Sequence, residues 1–256
     1  VQEVPGRIWE GKEGVLGAVG VLSAACSAAL PPEARRRTVA ALLDAAGKKR
    51  AAYRKEALVQ LEAALDAFGS AAGSGSQPAA PAPVAGAAAG GEEAEDYYGM
   101  TAPLLLELAG SYLEAARGGG AMEVDEQRGQ APAGGQEEGE PHPGRSVPVA
   151  HVAACLGAAF ATAAPEAARQ HADAAAAALA SLLDTAGKAA DQLAAAAAGC
   201  RLAKHAALVA GRAAAQPAPP VLSPQQEGVS RLLQTGLRLA EEGKVSQLRE
   251  ECYELR

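Results

Sequence analysis

Residues 42–48 read LLDAAGK, and residues 182–188 read LLDTAGK. Each copy closes one run of helical periodicity just before another begins. Val39, Leu42, Leu43 and Ala46 share a side of the run that the first copy ends, with Gly47 as a plausible C-terminal cap. Upstream, Val15, Val19, Leu22 and Cys26 recur every three or four residues until Pro31 and Pro32 stop that helix and admit the next. Downstream, Leu58, Leu61, Leu65 and Phe68 lie on one side, followed by Leu104, Leu108 and Tyr112. Val149, Val152, Leu156 and Phe160 make a further stripe, and Pro165 starts a helix that carries Leu179, Leu182 and Leu183. Residues 188–213 divide between two sides, Leu193 with Cys200 and Leu202 with Val209. Two stripes finish the chain: Val229, Leu233, Leu237 and Ala240, then Val245, Leu248, Cys252 and Leu255. Leu22, Leu42, Leu61, Leu182, Leu233 and Leu248 are expected in the core.

Composition points the same way. Nominally apolar residues make up 49% of the 256, but aromatics only 3%, and alanine supplies much of the rest. Alanine is the best helix former, whereas strands favour β-branched and aromatic side chains, so the expectation is an all-α protein. No stretch reaches the roughly 18 to 20 apolar residues of a membrane span, because residues such as Asp173, Asp184, Lys188 and Lys204 recur. A net charge of -7 argues for solubility and against general nucleic-acid binding. The chain opens on Val1 without a charged-then-apolar leader and reads as a piece of something longer.

Two segments are too poor in large apolar groups to offset the entropy of ordering them. Residues 69–96 are Gly, Ser, Pro and Ala followed by Glu92, Glu93, Glu95 and Asp96; residues 118–147 combine glycine breakers with acids from Glu123 to Glu140. Both are expected to be disordered insertions, the acidic ones solubilising spacers or shields for basic groups. The organisation is then helices over 1–68, an insertion over 69–96, a helix over 97–117, an insertion over 118–147 and helices over 148–256.

The two LLD copies lie 140 residues apart. Subtracting the insertions, roughly 55 residues together, leaves about 85, close to two units of the ~40-residue helix pair of HEAT and armadillo arrays. Helix pairs starting near 11, 48, 149, 188 and 225 give the same pitch. The expected fold is therefore a HEAT-like α-solenoid of antiparallel helix pairs, each hiding its stripe against its neighbours. A piece of such an array should expose apolar surface at both ends.

Chemistry is sparse. Gly6 to Lys12 reads GRIWEGK and fits the front of a phosphate-cradling loop, but Glu13 stands where a magnesium-binding Ser or Thr is needed, and the loop interior is bulky. The simpler reading is a helix start, with Glu13 favourable to the dipole and Trp9 packed back on the first turn. Cys26, Cys155, Cys200 and Cys252 are widely spaced and expected as buried thiols; they and His142, His151, His171 and His205 show no metal-ligand spacing. No G-x-S-x-G and no Ser, His and acid set is present, so neither an enzyme nor a cofactor is expected. Arg35, Arg36, Arg37, Lys48, Lys49, Arg50, Arg54 and Lys55 form a basic cluster, by default a solvated helix face and, on the sharper reading, a ridge that docks an acidic protein partner.

The opening also carries a resemblance. Gly6, Arg7, Trp9, Gly11, Lys12 and Glu13, with the spacing through Cys26, resemble the G-R-x-W-x-G-K-E segment that opens a HEAT helix in the large proteasome-associated adaptor and scaffold proteins. Residues 50–68 are similar, more loosely, to a later helix of that region; beyond 69 the agreement is architectural, and the long insertions depart from the family. The resemblance implies a non-catalytic scaffold of cytoplasm and nucleus that binds the 26S proteasome and links or checks its regulatory and core particles. The alternative is a HEAT scaffold of another class, a transport receptor or phosphatase scaffold.

Overall fold

The computed structural model describes residues 12–48, 50–73, 96–118, 148–212, 227–242 and 246–254. Among them are nine helices and no strand: α1 (Lys12–Ala25), α2 (Pro32–Ala46), α3 (Ala51–Gly73), α4 (Tyr98–Gly118), α5 (Val149–Ala161), α6 (Pro165–Thr185), α7 (Ala189–Arg212), α8 (Glu227–Glu242) and α9 (Ser246–Glu254). The fold is all-α. Most of 69–96 and 118–147 lies outside the described residues, with small corrections at the edges. Gly69 to Gly73 continue α3, Gly118 ends α4, and Asp96 Oδ1 accepts the Tyr98 N–H at 3.0 Å to cap α4.

Local chemistry sets the starts of α2 and α6. Pro32 and Pro165 take the first helical position, after Pro31 and Ala164 in extended backbone, where a missing N–H costs nothing. Gly47 does close α2, but in the right-handed region at φ -73, ψ -10, so it makes an ordinary C-cap and not a left-handed one.

The helices pack in two rows. Along one, α1 lies on α3, α3 on α5, α5 on α7 and α7 on α9; along the other, α2 touches α4, α4 lies on α6 and α6 on α8. Contacts of α2 with α3, α4 with α5, α6 with α7 and α8 with α9 join the rows. At the centre stands α5, packed against α3, α4, α6 and α7 and buried from Val152 through Phe160 except Ala154. A helix that is apolar all round has to be buried.

The LLD copies end equivalent helices, α2 and α6, and Leu42 and Leu182 are both fully buried. Helices begin at 12, 51, 149 and 189, close to the starts expected at 11, 48, 149 and 188. A helix also begins near the expected 225, α8 at Glu227, but it stands in the α6 row and not the α7 row. Residues 189–212 form a single long helix, α8 packs on α6, and α9 packs on α7, so the next member of the α7 row begins at Ser246.

Several stripes turn in as expected: Val39 and Leu42; Leu58, Leu61, Leu65 and Phe68; Val149, Val152, Leu156 and Phe160; Leu179, Leu182 and Leu183; and Leu248. Others are rotated. On α1 the expected stripe faces outward, with Val15 46% and Leu22 63% exposed, while Leu16, Gly20 and Ser23 turn in. From Gly14 to Leu30 no residue is charged, so periodicity cannot choose a face. Gly20 chooses it: a Cβ there would collide with Gln60 of α3. Cys26 is consequently exposed, not buried, whereas Cys155 and Cys200 are buried. On α4 the innermost residues are Tyr97, Tyr98, Thr101 and Leu105, and Leu104 and Tyr112 are half-buried. The Thr101 hydroxyl tolerates burial by donating to the Tyr97 carbonyl at 2.9 Å. On α8, Leu233 is half-buried and Leu232 is inside, because Gly228 is seated on α6, where a Cβ would strike the backbone of Asp173 and Ala177.

Leu61→Ala should therefore destabilise the fold by about 2–5 kcal/mol, and Leu22→Ala by less than about 0.5 kcal/mol. Urea denaturation of the two variants tests the assignment; equal losses would contradict the orientation of α1.

Candidate protein-binding surface

The basic cluster does not form one ridge. Arg36 and Arg37 stand near the start of α2, and Lys48, Arg50 and Lys55 lie beyond its end. At 1.5 Å per residue, Arg36 and Lys48 are separated by about 18 Å along the helix. Lys49 lies outside the described residues. Two of the remaining members serve the architecture. Arg54 is only 8% exposed, and its Nε and Nη2 donate to the Lys48 carbonyl at 3.1 and 2.9 Å, satisfying an acceptor in the turn after α2. Arg35 is half-buried, its guanidinium 5.8 Å from the centroid of the Phe68 ring near the end of α3. What remains is a pair of exposed basic patches: Arg36 with Arg37, which lies 3.8 Å from Glu33, and Lys48 with Arg50 and Lys55. Lys48 is held by Asp44 at 2.9 Å.

Of the opening motif, Lys12 and Glu13 begin α1, with Glu13 in its first turn as the helix-start reading requires. Gly6, Arg7, Trp9 and Gly11 lie outside the described residues.

A second surface escaped the periodicity analysis. Between α3, α5 and α7 opens a groove of about 320 Å³, its floor formed by Leu65, Ala158 and Thr162 and its wall by Arg201, Lys204, His205 and Leu208. These four α7 residues follow the i, i+3, i+4, i+7 spacing of one helix face, a signal that was present in the sequence. Arg201 reaches across to α3, with Asp66 at 3.1 Å and Glu62 at 3.7 Å. Burial raises the Glu62 pKa more than Arg201 lowers it. His205 Nε2 lies 3.0 Å from the Ala163 carbonyl, which places the proton of a neutral ring on that nitrogen. Leu208 projects at the lip, 62% exposed. An apolar floor, a charged wall and an exposed leucine suit the seating of a partner side chain.

Beside the groove, Lys204 pairs with Glu254 of α9 at 2.9 Å, and the Cys200 thiol donates to the Glu251 carbonyl at 3.3 Å. The Cys200 sulfur and one carboxylate oxygen each from Glu251 and Glu254 lie within 4.8 Å of one another. Burial first, then the two carboxylates, push the thiol pKa up to about 12. The sulfur thus keeps its proton at neutral pH and links α7 to α9 as a donor.

His151 sits half-buried on α5. Its pKa is lowered, by burial first and by Lys55 next, against the opposing pull of Asp191 and Glu56. None of the helices among the described residues is long and apolar enough to cross a membrane. Compared with family models, with curated proteins and with solved structures, the chain matches none.

Two measurements follow. Arg54→Met should cost about 1–3 kcal/mol in urea denaturation, since it removes a largely buried guanidinium and both of its bonds to the Lys48 carbonyl, whereas Arg36→Met should stay within about 0.5 kcal/mol. Because the folded His151 resists protonation, the unfolded chain binds the proton first. Stability from this group is complete above about pH 6.5 and falls as the pH drops towards its lowered folded value. His151→Gln should flatten that part of the pH–stability curve, and an unchanged slope would remove His151 from the account.

Proposed function

We propose that the chain is a stretch of HEAT-like α-solenoid, built from antiparallel helix pairs, that acts as a non-enzymatic scaffold and binds the 26S proteasome in cytoplasm and nucleus. The observation that carries the architectural part is the packing of each helix on the helix two places along the chain, in two parallel successions from α1 to α9 and from α2 to α8. Stacking of this kind hides apolar seams between neighbours and leaves the outer faces along its whole length available to other proteins. The return of LLD-x-A-G-K at the ends of α2 and α6 supports the same reading.

The proteasome as partner rests on the resemblance carried by Gly6, Arg7, Trp9, Gly11, Lys12 and Glu13. The surfaces offered to it are the two basic patches and the groove beneath Leu208. Exposed charges of one sign steer an oppositely charged partner and make its capture sensitive to salt.

Native gel electrophoresis with purified 26S proteasome tests the proposal. The chain should co-migrate with the particle at low salt, and Arg36→Glu combined with Arg37→Glu should weaken the association several-fold. No co-migration of a chain shown to be helical by circular dichroism would end the proteasome assignment. Undiminished binding by the charge-reversed chain would remove the α2 patch from it.

A further inference from the structure

Charge is unevenly placed along the chain. Residues 74–95 hold three glutamates and no base, and residues 119–147 hold six acids against Arg128 and Arg145. These two segments, both outside the described residues, account for the whole net charge of -7, so the rest of the chain is balanced. The six acids of the second segment are Glu123, Asp125, Glu126, Glu137, Glu138 and Glu140.

The fold fixes where that segment departs and returns. It leaves α4 at Gly118 and re-enters at Pro148, the N-cap of α5. His151, in the first turn of α5, feels the charges of Lys55 in α3 and Asp191 in α7, and Tyr112 near the end of α4 bonds to the backbone of Gly187 in the turn before α7. One edge of the array therefore gathers the end of α4 and the starts of α3, α5 and α7. It carries Arg50, Lys55, Arg117 and Lys188, all exposed and without an ion pair among the described residues. Acids are also present there, but Asp44 is engaged by Lys48 and Asp184 by Arg238, which leaves Glu56, Glu114 and Asp191 for four cations.

Charge and tether together select the occupant of this edge. Five residues carry the chain from Gly118 to Glu123 and nine from Glu140 to Val149, spans of at most about 20 and 30 Å. A tether of that length holds the acids at an effective concentration in the millimolar range, which a free acidic ligand has to match before it competes. The first acidic segment is placed elsewhere: it returns at Tyr98, the opposite end of α4, about 30 Å away, and its glutamates lie within six residues of that point. We propose that the acidic run from Glu123 to Glu140 docks in cis on the cationic edge formed by Arg50, Lys55, Arg117 and Lys188, occupying it ahead of acidic ligands from outside. The contact is made of exposed charges, so each pair is weak and the whole is displaced by salt. It does not rest on the proteasome reading, and its tests contain no proteasome.

Carbodiimide cross-linking of the full chain, with mass spectrometry of the monomeric product, gives the first test. At low ionic strength carboxylates of residues 123–140 should join Lys55 and Lys188, and these links should vanish in about 1 M salt, where the screening length is about 3 Å. Lys204, exposed on α7 about 20 Å from its start, should stay unlinked to the segment. In the second test all six acids are replaced by Gln or Asn, and binding of a fluorescein-labelled hexaglutamate peptide is followed by anisotropy. The substituted chain should bind the peptide several-fold more tightly than the native one, and Lys55→Glu with Lys188→Glu should remove the difference. Equal affinity with and without the six substitutions overturns the proposal, as does a substituted chain that fails to bind the peptide. A difference that survives the two lysine reversals would come from net charge alone and overturns it too. Links confined to dimers would make a second copy the occupant, and links spread evenly to Lys204 would show undirected attraction; either result also overturns it.

Discussion

Helices in this protein approach one another as closely as their smallest residues allow, and the arrangement depends on that approach. At the crossing of α5 and α7, a Cβ on Gly157 would lie 2.8 Å from Ala198 Cα and 2.9 Å from its Cβ, so nothing larger than hydrogen fits without moving a helix. Gly20 against Gln60 and Gly228 against the backbone of α6 repeat the solution at α1–α3 and α6–α8. Each is a contact between helices two apart in the chain. Alanine fills much of what remains: Ala153, Ala158, Ala159, Ala175, Ala176, Ala195 and Ala196 are all buried to within 1%. A buried alanine contributes far less transfer energy than a leucine, but its helices already form at little entropic cost, and close backbones recover dispersion across the contact. Leucine and aromatic seams supply the larger increments. The Tyr98 and Phe160 rings meet edge-on at 5.4 Å, and Phe160 meets His205 at 5.8 Å, linking α4, α5 and α7.

Polar links between helices follow from the same economy of side chains. None of α2, α5 and α6 has a side-chain hydrogen bond at its N-cap. Donors and acceptors come instead from neighbouring elements. Asp173 of α6 accepts the Gly228 and Val229 N–H groups at 2.8 and 3.3 Å, neutralising orphan donors at the start of α8. The Cys155 thiol, fully buried and with its pKa driven well up by desolvation, donates to the Leu58 carbonyl of α3 at 3.1 Å. Cys200 does the like for α9. Two cysteines expected from the sequence simply as buried thiols are therefore also interhelical donors. By contrast, Tyr98 has its hydroxyl buried with no hydrogen-bond partner among the described residues, a cost its ring contacts offset.

How much could be read from the letters alone depended on contrast within each helix. Residues 51–68 alternate charged and apolar groups, so one leucine face stood out, and Leu58, Leu61, Leu65 and Phe68 are all inside. In α1 there was no contrast to read, and a glycine's fit against α3 decided the rotation. For α4 and α8 the decisive features were a threonine satisfied within its own helix and a glycine seated on a neighbour, both invisible to hydrophobic periodicity. The helical class therefore came through, while facing was lost wherever small residues outnumbered large ones. At the surface, the basic cluster was counted by sequence proximity. The fold separates its members along α2 and assigns Arg35 and Arg54 to packing, whereas the α7 face bearing Arg201, Lys204, His205 and Leu208 was periodic yet hidden in an ambiguous stretch.

That division of the arginines bears on which charges can meet a partner. Arg54 is committed to a carbonyl, Arg201 to Asp66 and Glu62 across α3 and α7, and Arg238 of α8 to Asp184 of α6. The last of these ties neighbours within a row, whereas Arg201 reaches past α5 to join α7 to α3. Guanidinium suits the task, since its planar fork engages two acceptors at once and holds its geometry. An acidic ligand competing for Arg201 or Arg238 would have to displace an intramolecular carboxylate and loosen a helix contact at the same time. Arg36 and Arg50, exposed at opposite ends of α2, carry no comparable interhelical bond in the contacts described above. Recognition by charge would draw on such residues first, leaving the committed arginines to keep the surface in shape while it is used.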